Sequence, residues 1–477
     1  MQLQDVRDYV QAHRAAHQRE LADWIAVGGV SATGEAMPAA TATEHARQLL
    51  ESCGLRADVV PTDGHPLVVG HRRADVAAGG TRAGDPAAVP TVVVYGHYDV
   101  QPAGPAHAWS SPPFTATVRD GRVFGRGTGD NKGQHLAQLL AIRALAATGG
   151  LPCNVVMVLD GEEEIGSPHL QQTLARLRRE DDLLAGADLA VWSDGPVHES
   201  GAPTVVLGAR GIVSFEIVVP GANSELHSGN WGGIAPNPAW ELVWLLASMR
   251  APDGSITVPG LVESPAPITQ AESAAAQGLP FDLPELLAGA GLNRTDRPDA
   301  DLPLAALRPT FSINSLTCDD GGDHRTVIPS VAKAKCDIRM VAGQRADDVL
   351  AAVRHQVAQQ LPHAEVITDR GMMQPYRVRP DAPYVAVIAD AMAAAHPGQQ
   401  VLVTPTLGGS LPVAELAAGL GLDCYGIPLA NADERNHAPD ENLELHRFHD
   451  GIVACAAVLR GIAAAGSAPA PVPEPAK

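Results

Sequence analysis

Val92, Val93 and Val94 form an uninterrupted apolar run, short enough for a strand buried on both faces, and it gives way to Tyr95-Gly96-His97-Tyr98-Asp99. Polar chemistry therefore begins where that strand should end. Two more runs repeat the arrangement: Val155 to Leu159 leads into Asp160, Glu162, Glu163 and Glu164, and Leu189 to Trp192 leads into Ser193 and Asp194. Apolar periodicity predicts helices over residues 2–25 (Val6, Val10, Leu21, Trp24, Ile25), over Ala42 to Ser52 before Gly54, and after the stretch Arg122 to Gln134. The last of these carries Leu136, Leu139, Leu140 and Leu145 and is stopped by Gly149 and Gly150. The Gly-rich stretch Ala77 to Asp85 reads as a turn between two strands.

From about Gly208 the pattern changes. GIVSFEIVV (211–219) alternates like a half-exposed strand, Pro238 to Met249 reads as a helix, and Ile328 to Met340 contains another strand. Between them lies a Pro- and Ala-rich insertion, Ala251 to Arg308. The α/β pattern then returns, with a helix near Tyr384 to Ala395, a strand at Val401 to Val403 and another ending near Pro428. The expectation is an α/β protein with a mainly parallel sheet flanked by helices, built from residues 1–207 and 376–465. It is interrupted at 208–375 by a smaller α+β domain and followed by a disordered Pro/Ala tail, 466–477.

With 477 residues the chain is too long for one core. Its net charge of -20 argues against nucleic acid, since phosphate binding wants a basic footprint. No window reaches the unbroken apolar length needed to cross a bilayer, and MQLQDVRDYV lacks a secretory pattern, so the expectation is a soluble cytoplasmic protein without a membrane partner. The six cysteines have no CxxC spacing and read as small buried hydrophobes.

Each acidic group also has an ordinary role. Asp130 stands at a helix start, where an N-cap contributes about 1 kcal/mol, and a run such as Glu162 to Glu164 is usually a solvated face. Three strands ending in His97/Asp99, Glu163/Glu164 and Asp194 change that weighting. Parallel strands with helical crossovers bring such ends to one sheet edge, giving one imidazole and several carboxylates, a set suited to divalent ions. His227 lies in a polar turn. Arg339 lies within a strand, open to an anion clamp or a structural ion pair.

The segments GHYDVQP, GRGTGDNKGQ, DGEEEIGS, WSDG, LHSGNWGG, TVIPS, GGSLPV and NHAPDENL, spread over roughly residues 90 to 450, together resemble the M20 metallopeptidases, in particular their carnosinase-type dipeptidases. The resemblance implies a catalytic domain interrupted by a ferredoxin-like lid that forms a homodimer, and two divalent ions per subunit, zinc first, with manganese or cobalt also accepted. It assigns His97, Asp130 and Asp194 to one ion, and Asp130, Glu164 and His437 to the other, with Asp130 bridging. Asp99 would orient His97, and Glu163 would be the general base, with Glu162 the competing candidate. His227 would stabilise the oxyanion in the partner subunit's site, and Thr326, Arg339 and Ser410 would bind the substrate's C-terminal carboxylate. The Asp130–Asn131 peptide bond would be cis. The substrate would be a dipeptide or short peptide with a free C-terminus; the alternative is an N-acyl or N-carbamoyl amino acid.

Overall fold

A computed structural model of the chain describes residues 2–32, 39–75, 89–297, 302–318, 325–368 and 372–466. The expected turn at Ala77 to Asp85 and the tail from residue 467 lie outside the described residues. Two compact units emerge: Met1–Gly208 with Val378–Pro405 and Glu415–Lys477, and Ala209–Arg377 with Thr406–Ala414.

The first unit is built on an eight-stranded mixed sheet. Its strand order is Arg56–Val60, Leu67–Arg72, Asn154–Asp160, Thr91–His97, Leu189–Trp192, Cys424–Gly426, Thr204–Val206 and Leu402–Thr404. All seven residues of Thr91–His97 and of Asn154–Asp160 are buried, as continuous apolar runs require of strands covered on both faces. These two strands and Leu189–Trp192 run parallel, with Tyr95 opposite both Val158 and Trp192, and His97 opposite Asp160. Their carboxyl ends therefore finish at one edge, where an open sheet leaves a crevice. The outer strands Arg56–Val60 and Leu67–Arg72 are antiparallel additions.

The helices Leu3–Val27, Lys132–Thr148, Pro383–Ala395 and Leu445–Ala465 pack on one another. Each fully buried large aliphatic side chain among them, such as Leu21, Leu139 or Ile452, contributes roughly 1.5–3 kcal/mol. Leu445–Ala465 is long and apolar enough to cross a membrane, but 67% of that window is buried inside the unit, the pattern of a central helix covered on most sides.

The second unit follows the order strand Gly211–Pro220, helix Pro238–Met249, strands Thr310–Thr317 and Val331–Met340, helix Ala346–Gln360 and strand Glu365–Ile367. The four strands pair antiparallel in the order Thr310–Thr317, Val331–Met340, Gly211–Pro220, Glu365–Ile367, a ferredoxin-like arrangement. Alternation decides the faces: Val213, Phe215, Ile217 and Val219 point into the core with Ala334, Cys336 and Ile338, where Leu242, Leu245, Val349 and Val353 of the two helices meet them. The insertion has structure of its own. It contains the helices Gln270–Gln277 and Leu283–Gly289, buries Val258 and Leu261 in the same core, and ties Glu272 to Arg377 at 2.6 Å.

One boundary differs from the expectation. Residues 406–414 belong to the second unit, because Arg210 Nε donates to the Gly408 carbonyl at 2.9 Å and Arg339 Nη1 donates to Ser410 Oγ at 2.8 Å.

Candidate metal centre

His97 closes its strand with a fully buried imidazole. Nδ1 lies 3.2 Å from Asp99 Oδ1 and 3.1 Å from the Asp99 carbonyl, while Nε2 lies 3.1 Å from Asp130 Oδ1, 3.4 Å from Asp194 Oδ2 and 4.0 Å from Glu163 Oε2. His437 Nε2 approaches the other oxygen of Asp130, Oδ2, at 2.9 Å and Glu164 Oε2 at 3.2 Å. Ligand atoms of His97, Asp130 and Glu164 all lie within 4.8 Å of one another. Seven of the expected residues thus converge, and Asp130 faces both imidazoles, one with each oxygen.

The backbone explains the convergence. Asp99 accepts the N–H groups of Glu163 (3.2 Å) and Glu164 (3.1 Å) and the Ser31 hydroxyl (2.6 Å), so one carboxylate orients His97 and holds the acidic turn. Gln101 donates to Glu164 Oε2 at 2.9 Å. Asn131 Oδ1 accepts the His97 N–H at 3.3 Å, an approach that needs Gly96, where a Cβ would lie 3.0 Å from that oxygen and 2.6 Å from His135 Cβ. His437 has a left-handed φ of 56°, uncommon for a non-glycine residue. The Asp130–Asn131 bond is cis.

The ordinary roles weighed for these acids do not hold. The helix begins at Lys132 with Asn131 as its cap position, so Asp130 is not an N-cap, and Glu162 and Glu163 are buried, not solvated. Glu162 is committed elsewhere, accepting the His65 N–H at 2.9 Å and meeting His169 Nδ1 at 2.7 Å.

The electrostatics of the cluster follow from this crowding of charges. Burial alone would push His97 down, but Asp130, Asp194 and Asp99 outweigh it and hold the imidazole well above its usual range. Contacts to Asp130 and then Glu164 raise His437 to about 11. Burial, followed by Asp194 and Glu164, holds Glu163 well above an ordinary carboxyl, and burial with Asp130 raises Glu164 to about 7. Asp130 moves the other way: burial favours its neutral acid, yet His437 and His97 outweigh that and hold it low. Among the described residues His97 Nε2 has no directed hydrogen bond, although acidic oxygens surround it. A buried ring nitrogen facing several carboxylates that repel one another fits a divalent cation placed among them.

Sequence reasoning passed over the group that holds the Asp130 turn. Glu441 Oε1 accepts the N–H groups of Gly127 (3.0 Å), Gly129 (3.0 Å) and Asp130 (3.1 Å), while Oε2 pairs with buried Arg126 at 2.6 Å. The glycines in GRGTGDNKGQ let that turn wrap a carboxylate. Nearby Glu434 is buried, and burial with Asp130, Glu441 and Asp194 holds it well above the carboxyl range. In sequence it stands out only as part of the acidic loop Asp433, Glu434 and Arg435 beside His437, a place where specificity could be reshaped, with no sign of a metal role.

The remaining expected residues belong to the second unit. His227 is exposed on the short strand Leu226–His227, paired with Val327–Ile328, and the neighbouring Ser228 donates to the Thr326 carbonyl at 2.9 Å. Arg339 and Ser410 form their own pair, with Asp337 3.6 Å from the guanidinium. Arg210, not singled out from sequence, holds the same loop as Ser410. Burial and then Arg339 lower its guanidinium to about 10.

Comparison with known proteins identifies the family. The model of peptidase family M20/M25/M40 matches residues 93–463. The Cys-Gly metallodipeptidase of Schizosaccharomyces pombe is 31% identical over 379 residues, 76% of this chain and 78% of its own. The Beta-Ala-His dipeptidase of Rattus norvegicus is 29% identical over 474 residues, covering 94% and 93%. Among solved structures, the M20 family metallo-carboxypeptidase of Sulfolobus solfataricus superposes with a TM-score of 0.80 at 25% identity, over 93% of this chain and 98% of that one. The chain is a metallopeptidase and belongs to peptidase family M20/M25/M40.

Proposed function

We propose that the chain hydrolyses the peptide bond of dipeptides or short peptides with a free C-terminus, using two divalent ions, zinc first and manganese or cobalt as substitutes. The observation that carries this reading is the double presentation of Asp130, one oxygen toward His97 and Asp194 and the other toward His437 and Glu164. His97, Asp130 and Asp194 would hold one ion, and Asp130, Glu164 and His437 the other. Bound there, the ions would acidify a water and polarise the scissile carbonyl.

Glu163 is the base in this reading. Its carboxylate lies beside the ligand set, and its raised proton affinity suits it to take the water's proton and return it to the leaving amine nitrogen. Asp99 keeps Nε2 of His97 turned to the site by holding Nδ1. We assign the substrate's carboxylate to Arg339, Ser410 and Thr326, where a guanidinium offers two parallel donors. His227 is assigned to the oxyanion in the partner subunit.

The homodimer would form through the second unit. Trp240, Val243 and Trp244 are exposed on one helix, the two indoles stacked at 5.8 Å, and the edge strand Thr310–Thr317 exposes Ile313 and Leu316. We place the protein in the cytoplasm, where six cysteines that form no disulfide fit a reducing environment.

The test is a panel of dipeptides against N-acetyl and N-carbamoyl amino acids, with added zinc, manganese or cobalt. Turnover of dipeptides is expected. Activity confined to the acylated set would overturn the reading in favour of an amidohydrolase.

A further inference from the structure

Glu434 lies in the loop that carries His437, three positions before it, and is turned inward. The residue is 2% exposed, and both carboxylate oxygens are buried with no hydrogen-bond partner among the described residues. Its backbone is firmly held. The N–H donates to the Asn431 carbonyl at 3.1 Å, and its own carbonyl accepts the Asn442 N–H at 2.8 Å and the Asn442 side-chain amide at 3.3 Å.

The carboxylate fills the space above Gly129, the residue before Asp130. A Cβ at Gly129 would lie 2.2 Å from Glu434 Oε2, so only glycine admits the acid there. The turn offers it no donor in return, because the N–H groups of Gly129 and Asp130 are already given to Glu441.

A buried carboxylate without a donor is among the costliest groups in a folded chain, and such groups persist where a cation meets them. Here the acid packs against the turn that presents Asp130, the residue whose two oxygens face His97 and His437. We infer that Glu434 is a further carboxylate of the metal centre, supplying negative charge to the ions bridged by Asp130. The inference rests on the two-ion reading above. It adds to the surroundings of the ions a charge that neither strand ends nor helix starts mark in the sequence.

The experiment strips the purified protein with a chelator and titrates it with Zn2+ against a chromophoric competitor; the d–d spectrum is recorded in parallel on Co2+. The parent is expected to bind two ions. If it binds none, the two-ion reading falls and this inference with it. With two ions bound by the parent, Glu434→Gln is expected to weaken at least one by roughly 10- to 100-fold and to shift the cobalt spectrum, while circular dichroism is unchanged.

Glu434→Asp separates charge from shape. It keeps the charge and loses a methylene, so it should bind ions more tightly than Glu434→Gln. Parent-like affinity and spectrum in the Gln variant, or a Gln variant that binds more tightly than the Asp variant, would overturn the inference. If Glu434→Gln does not fold, Glu434→Asp against Glu434→Asn makes the same comparison at equal size.

Discussion

Replacing Glu163 with glutamine preserves side-chain volume and removes the capacity to accept a proton. The local fold should tolerate it, because the contact that fixes this residue is its backbone N–H to Asp99 at 3.2 Å, which the substitution leaves in place. The ligand set is also left intact, since Glu163 Oε2 is 4.0 Å from His97 Nε2 and lies outside the five residues assigned to the ions. A positioned general base is worth about 10²- to 10⁴-fold in rate, which at about 1.4 kcal/mol per tenfold corresponds to about 3–5 kcal/mol of barrier. The expected result is therefore a kcat lowered by at least about two orders of magnitude, with two ions still bound. Steady-state turnover of a dipeptide, measured beside metal content on the same preparation, gives both quantities. A variant with both ions and a kcat within a few-fold of the parent would refute the assignment of the base and reopen the choice of proton acceptor.

Glu441→Gln leaves the buried Arg126 guanidinium without its negatively charged partner and loosens the Asp130 turn; a loss of about 3–5 kcal/mol is expected in denaturant unfolding, and unchanged stability would contradict the role given to this carboxylate. Metal affinity should climb with pH between about 5 and 8, because Glu164, raised to about 7, and His437, raised to about 11, must give up protons before binding an ion; a pH-independent affinity would show that these groups do not bind ions. His17 is buried, and burial depresses its imidazole to about 4. Its contribution to stability is therefore present above the unfolded value near 6.5 and is lost as pH falls toward about 4, so His17→Leu should flatten that acid limb in thermal melts, and parallel curves for parent and variant would disprove it.

The chain alone determined much of this architecture. Val92 to Val94, Val155 to Leu159 and Leu189 to Trp192 read as buried strands because an apolar run with no polar face can only be covered on both sides, and the parallel order then forces their acidic ends together. Alternation in GIVSFEIVV gave the second sheet its inner face, and Pro238 to Met249 starts and stops where its periodicity does. These signals are local, carried by residues a few positions apart.

What only the tertiary structure decided depends on partners far apart in sequence. Glu162 and Glu163 are adjacent carboxylates of the same type, and only the positions of His65 and His169 show that Glu162 is already engaged. Residues 406–414 have no pattern that assigns them to the second unit until Arg210 and Arg339 are seen to hold them. Leu445–Ala465 has the composition of a membrane span, and packing against other helices makes it a core helix. Glu441 and Glu434 resemble surface acids until the chain brings them back, some three hundred residues later, against the turn at Gly127 to Asp130. Hydrophobic periodicity reports which side of an element is buried, but not which distant charge it will meet there, and that meeting is what makes a binding site.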